Sequence, residues 1–144
     1  MKQEVYFKNI QSKISELLDT AEFEVKIAVA WFTDEYLINK LKKLAKAGVN
    51  ITIIIYEDRI NKKDLFEELY NLNCKIYLSK KLMHNKFCVI DNDIVINGSY
   101  NWTYSAHSNS ENITVTYSNL VFTENFVEEF NKLSNKCNLI NSYF

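Results

Sequence analysis

Apolar residues recur along this chain in two rhythms, and the alternation between them outlines an α/β fold. Val5, Ile10, Ile14, Leu17 and Leu18 fall at helical spacing, so the first element is expected to be one amphipathic helix. Residues 24–31 are dominated by β-branched and small apolar side chains and read as a buried strand. Thr33 or Asp34 can then cap a helix running to about Ala47, where Gly48 supplies the stop. Residues 50–56 read as a second buried strand, residues 62–72 as a helix and residues 74–78 as a strand. Residues 85–90 are again apolar and β-prone. Asp91, Asn92 and Asp93 signal a turn, and residues 94–96 continue as a short strand, so this stretch is expected to form a hairpin. A strand over 113–117 and a helix from 121 to about 133 complete the pattern. Strands alternating with helices predict a single α/β sandwich domain over residues 1–144. Its sheet is expected to be mixed and mostly parallel, flanked by helices.

The hairpin also carries the chain's densest chemistry. Side chains alternate faces along a strand. If the strand is regular from its start, His84, Lys86, Cys88 and Ile90 share one face, so an imidazole and an ammonium can reach one phosphate together. Asp91 falls on the other face and is expected to support the hairpin rather than touch substrate. Gly98 is one of only two glycines, and it allows a sharp turn and close approach of the backbone to a ligand. Ser99 and Asn101 then offer a hydroxyl and an amide to phosphate oxygens. Phosphoryl transfer depends chiefly on positioning and charge stabilisation, which this set of groups can supply.

His84, Lys86 and Asp91 stand as H-x-K-x-x-x-x-D, with six residues between Asp91 and the Gly98, Ser99, Tyr100, Asn101 run. This resembles the catalytic motif of the phospholipase D superfamily, enzymes that break phosphodiester bonds, and is closest to its small single-motif bacterial nucleases. The resemblance extends to Glu111, within Asn109, Ser110, Glu111 and Asn112, and upstream to residues 25–34. It implies that His84 is the nucleophile and forms a phosphohistidine. It implies that Lys86, Ser99 and Asn101 bind phosphate, and that Glu111 orients His84. It implies no metal or other cofactor. A second histidine from a second motif would protonate the leaving oxygen and later activate water, work suited to a group that titrates near neutrality. The motif occurs once here, so the second histidine is expected from a homodimer, with residues 98–102 at the interface and Trp102 and Tyr104 as aromatic anchors.

Each residue has a plainer reading. A lone histidine at a strand start is usually structural, and only its fixed company makes His84 a candidate. Glu111 alone is a loop carboxylate, and Asp91 alone a turn residue. His107, the other histidine, has no lysine two residues on and reads as a loop residue near the site. Cys74, Cys88 and Cys137 show neither CxxC pairing nor metal-ligand clustering. Three Asn-x-Ser/Thr matches in or beside the motif unit read as chance in an asparagine-rich chain.

Composition narrows the class. Hydrophobic residues make up 47% of the 144, which suits a globular domain with a real core. The N-terminus lacks an apolar signal core and no stretch approaches a membrane span, so a reduced, cytoplasmic protein without stable membrane association is expected. The formal net charge of −1 is unusual for a nucleic-acid enzyme, but a local patch suffices. Lys80 and Lys81, with Lys86, bracket His84 and are the expected substrate contacts; Arg59, Lys62 and Lys63 form a second basic cluster. The leading expectation is a nuclease acting on DNA or RNA. A phospholipid phosphodiesterase and a non-catalytic nucleic-acid-binding or scaffold module are the alternatives.

Overall fold

The computed structural model describes residues 2–141. Its frame is one eight-stranded sheet, ordered β1-β7-β6-β5-β2-β3-β4-β8. In chain order these are β1 (Lys2–Tyr6), α1 (Ile10–Leu18), β2 (Glu24–Val29), α2 (Glu35–Lys46) and β3 (Asn50–Tyr56). There follow a 3-10 turn (Lys63–Phe66), α3 (Glu67–Asn71), β4 (Lys75–Ser79), β5 (Lys86–Ile90) and β6 (Ile94–Gly98). A second 3-10 turn (Ser105–Ser108), β7 (Ile113–Tyr117), α4 (Leu120–Asn135) and β8 (Asn138–Leu139) complete it.

The α/β sandwich with a mixed sheet holds, but the expected preponderance of parallel pairing does not. Only β2–β3 and β3–β4 run parallel, and the other five pairings are antiparallel. The reason lies in the connections: helical crossovers link β2 to β3 and β3 to β4, whereas β5 returns beside β2 in the opposite direction and folds into a hairpin with β6. The first element also differs. Residues 2–6 form an edge strand paired to β7, and the helix begins only at Ile10. Asn9 sits in the left-handed region at φ 54°, which breaks any helical continuity with Val5. The helix expected over residues 62–72 is a 3-10 turn followed by the short α3.

Helices α1, α2 and α3 cover one face over a large core that includes Ile14, Leu18, Leu37, Leu41, Ile53 and Leu69. Helix α4 covers the other, where Phe130 packs with Phe87, Val89 and Val95. The period-two split of β5 is therefore real: Cys88 and Ile90 face the first core, and Phe87 and Val89 the second. Asp34 caps α2, accepting from the backbone N–H of Tyr36 and Leu37, and Gly48 ends it at φ 96°. Among the described residues, no helix is long and apolar enough to cross a membrane.

Candidate active site

Topology gathers the motif at one end of the central strands. Strand β5 runs antiparallel to β2, β6 to β5 and β7 to β6. The start of β5, the end of β6 and the start of β7 therefore lie beside the end of β2. Val29 pairs with Lys86, and Gly98 with Ile113. His84, Lys86, Ser99, Asn101 and Glu111 thus converge, although 27 positions separate the first from the last (111 − 84).

His84 is exposed just before β5, with its ring set edge-on to the Trp31 indole, centroids 5.8 Å apart. Trp31 is fixed in turn. Its indole N–H donates to Asp58 Oδ2 at 3.0 Å, and its backbone N–H donates to Asn101 Oδ1 at 3.3 Å. Asn101 therefore uses its carbonyl oxygen internally and keeps the amide N–H group as its donor end. Trp31, Asp58 and the buried Asn61, which ties Phe32, Ala30 and Tyr56 together, escape the sequence reading. Each is an ordinary polar or aromatic residue, and only the fold brings it beside the motif.

Lys86 donates from Nζ to the His84 carbonyl at 2.8 Å. Burial pulls its pKa down, and the neighbouring Glu111 charge partly restores it. Ser99 Oγ donates to Glu111 Oε1 at 2.5 Å and accepts from the Asn112 backbone N–H at 3.1 Å. Asn109 Nδ2 donates to Glu111 Oε2 at 3.0 Å. Glu111 is thus engaged by Ser99 and Asn109 in this arrangement, not by the imidazole of His84.

Gly98 makes its close approach to protein rather than to open space. A Cβ there would lie 2.1 Å from the Asn112 carbonyl oxygen. That contact seats Ser99, whose own N–H donates to the same oxygen at 3.0 Å. Asp91 sits at the far end of the hairpin. Its carboxylate accepts from the backbone N–H groups of Glu22, Phe23 and Glu24 at 2.8, 2.8 and 2.9 Å. Burial pushes its pKa up, but the three backbone donors outweigh that and leave it lowered.

The remaining candidates lie around this centre. Lys80 and Lys81 are exposed and line a cavity of about 400 Å³ with Met83, Leu133 and Cys137, toward the end of α4. His107 stacks near Tyr104 and places Nε2 3.8 Å from the buried Asp34 carboxylate. Trp102, expected as a surface anchor, is instead 2% exposed and packs edge-on against Phe32, whereas Tyr104 is 67% exposed. The β-bridge between Phe32 and Trp102 draws that indole inward. Burial raises the Cys74 thiol to about 11 and pushes Cys88 up as well, so both are protonated and inert near neutrality.

Comparison with known proteins agrees with this fold. The chain is 29% identical over 147 aligned residues to the mitochondrial cardiolipin hydrolase of Drosophila melanogaster, an alignment covering 85% of this chain but only 57% of that relative. Nuc from Salmonella typhimurium, described as a phospholipase D family member, superposes with a TM-score of 0.89 at 22% identity, covering 98% of this chain and 99% of that one. NucT from Helicobacter pylori superposes with a TM-score of 0.79 at 24% identity, covering 94% and 97%. The family model described as "Cardiolipin synthase, PLD-like domain" matches residues 14–134, which include every motif residue, and the chain belongs to that phospholipase D-like family.

Proposed function

We propose that this chain is a metal-independent phosphodiesterase that hydrolyses nucleic acid through a phosphohistidine on His84. The observation that carries the reading is the convergence, at the exposed ends of the central strands, of His84 with Lys86, Ser99, Asn101 and Glu111. The imidazole nitrogen attacks phosphorus, forming a P–N bond as the P–O bond to the leaving group breaks. Lys86 and the Asn101 amide stabilise the charge on the non-bridging oxygens, and Glu111 helps to keep Lys86 protonated. The leaving oxygen takes its proton from a second histidine, which then activates water to cleave the P–N bond. His107 lies against Asp34, so the second group is assigned to His84 of the partner subunit in a symmetric dimer. The open setting of the site, with His84 and Ser99 both exposed, supports a polymer strand as substrate, because a strand can pass across the strand ends without threading an enclosed pocket.

A phospholipid phosphodiesterase is the second reading. Two observations favour it: the cardiolipin hydrolase named among the relatives, and Leu82, 58% exposed between Lys81 and His84's immediate neighbour Met83. One experiment separates the readings. The protein and its His84→Ala variant are assayed in excess EDTA against single-stranded DNA, duplex DNA, RNA and cardiolipin vesicles. The nuclease reading expects nucleic-acid cleavage that survives chelation and vanishes in the variant. Headgroup release alone would transfer the assignment to lipid, and binding without turnover of any substrate would make the chain a scaffold. Light scattering across the concentration range of activity tests the dimer, because a fully active monomer contradicts a shared pair of His84 residues.

A further inference from the structure

The nucleophilic imidazole is exposed and has little to hold it. Lys86 Nζ donates to the main-chain carbonyl of His84, which fixes the backbone but not the ring. Glu111 is engaged by Ser99 and Asn109. Among the described residues the imidazole enters no hydrogen bond or ion pair, and its ring contact is with Trp31 alone. An exposed side chain divides its time among staggered rotamers unless a neighbour selects one. Attack on phosphorus needs one orientation, with the reacting atoms aligned.

Trp31 itself is placed unlike its neighbours. Ala30 and Phe32 are fully buried, whereas Trp31 is half-buried and belongs to neither core of the sheet. A large apolar ring is thus kept at the strand end beside His84 instead of filling the interior. It is also firmly held. The indole N–H donates to Asp58 Oδ2 at 3.0 Å, a bond strengthened by the charge of its acceptor. Tyr56, the last residue of β3, packs edge-on against the indole with centroids 6.2 Å apart. Asp58 lies in a turn closed by the Asn61 N–H on the Asp58 carbonyl at 3.1 Å. The buried Asn61 side chain fastens that turn to the ends of β2 and β3, donating to the carbonyls of Ala30 and Tyr56 at 2.7 and 2.8 Å. Support therefore runs from two strand ends through Asn61 and Asp58 to the indole, and from the indole to the imidazole.

We propose that Trp31, anchored by Asp58, is a positioning residue for His84, its indole restricting the imidazole to the orientation from which a ring nitrogen meets phosphorus. Edge-on aromatic contacts have a preferred geometry, so the indole can select an orientation where a plain apolar wall would only exclude volume. The contact also leaves both imidazole nitrogens clear of protein hydrogen bonds. One is then available to attack while the other keeps its proton. The catalytic consequence rests on His84 as the nucleophile of a phosphodiesterase; the orienting contact does not.

The test compares the full chain with Trp31→Ala, Trp31→Phe, Asp58→Ala and Asp58→Asn. Trp31 lies outside both cores and Asp58 in a turn, so all four are expected to fold, with urea midpoints near wild type. Proton–carbon NMR spectra report the ring directly, since the chain has two histidines and His107→Ala assigns their signals. The indole ring current should displace the His84 ring protons from free-histidine positions. Trp31→Ala and Asp58→Ala should return them toward those positions. Hydrolysis of bis(para-nitrophenyl) phosphate reports the chemistry. There kcat should fall about a hundredfold in Trp31→Ala, the scale of a misplaced reacting group, with KM little changed. Asp58→Ala should lose about tenfold, the scale of one hydrogen bond to a charged group. Asp58→Asn keeps an oxygen for the indole N–H and should recover most of that loss. Trp31→Phe keeps a ring without the N–H and should fall between wild type and Trp31→Ala. Asp58→Asn as slow as Asp58→Ala would assign the effect to charge, and a loss confined to KM would make Trp31 a substrate contact; either overturns the proposal. So do His84 ring signals that Trp31→Ala leaves unmoved. A wild-type chain without turnover of any phosphodiester would remove the phosphodiesterase reading, and the ring signals would still decide whether the indole orients the imidazole.

Discussion

Asp91 belongs to the motif, yet the structure places its work on the fold, and this separates two meanings of a motif residue. Replacing it with alanine removes three hydrogen bonds from backbone donors to a charged acceptor. Bonds of this kind contribute about 1.5 kcal/mol each at the low end, or roughly 4–5 kcal/mol together. The donors of Glu22 and Phe23 are exposed and recover part of that from water. Alanine at φ 53° adds about 1 kcal/mol of backbone strain, where aspartate is better tolerated. The expected net cost is about 3 kcal/mol, a fall in Tm of about 10 °C for a domain of this size. Asp91→Asn keeps the turn and one oxygen, loses the charge, and turns an N–H group toward the Glu22 donor, so about 2 kcal/mol is expected. The pH dependence has a fixed sign. The folded-state pKa is lowered, so the stabilisation is complete above the ordinary carboxylate value of about 3.9 and is lost as pH falls through the folded value. The gap between wild type and Asp91→Asn should stay constant from neutrality to about pH 5 and close below about pH 4. Urea unfolding at several pH values measures it, alongside turnover at a temperature where both proteins are folded. An Asp91→Asn protein of wild-type stability that had lost turnover would refute this assignment and return the residue to the chemistry.

The other expectations concern the site itself. His84→Ala should reduce kcat by about four orders of magnitude or more with the urea midpoint little changed, whereas any loss in His107→Ala should fall on KM; equal loss of kcat in two folded proteins would put both histidines in one active centre. Lys86 should impose an alkaline limb on the rate below the range of a free lysine. Glu111→Gln should move that limb to lower pH, because it removes the charge that raises the Lys86 pKa, and Lys86→Arg should move it upward; pH–rate profiles in which Glu111→Gln shifts the limb upward would contradict the stated coupling. Gly98→Ala should cost about 2–3 kcal/mol and lower activity together, since its methyl group meets the Asn112 carbonyl and displaces Ser99 from Glu111; thermal melts and turnover that both match wild type would show that the loop adapts.

The phase of apolar residues was enough to locate β2, α2, β3, the hairpin, β7 and α4, because each buries a face whose period is local to its own residues. The motif was legible for a related reason: H-x-K at the start of one strand, then a turn, then Gly98 to Asn101 form a compact unit whose chemistry is written in neighbouring positions. Strand direction was not legible, because parallel and antiparallel neighbours can both bury continuous apolar runs, and the choice depends on partners far along the chain. Strand β1 was hidden for the same reason: half-exposed Val5 gains its place only from the edge of β7. The support around His84 also exists only after folding. Trp31 reaches the imidazole because β2 and β5 run antiparallel, and Asn101 meets Trp31 through a bridge across 70 residues. Residue types and local spacing identified the chemistry. The sheet decided which groups stand together, which carboxylate holds Ser99, and which aromatic is interior, because those are long-range contacts.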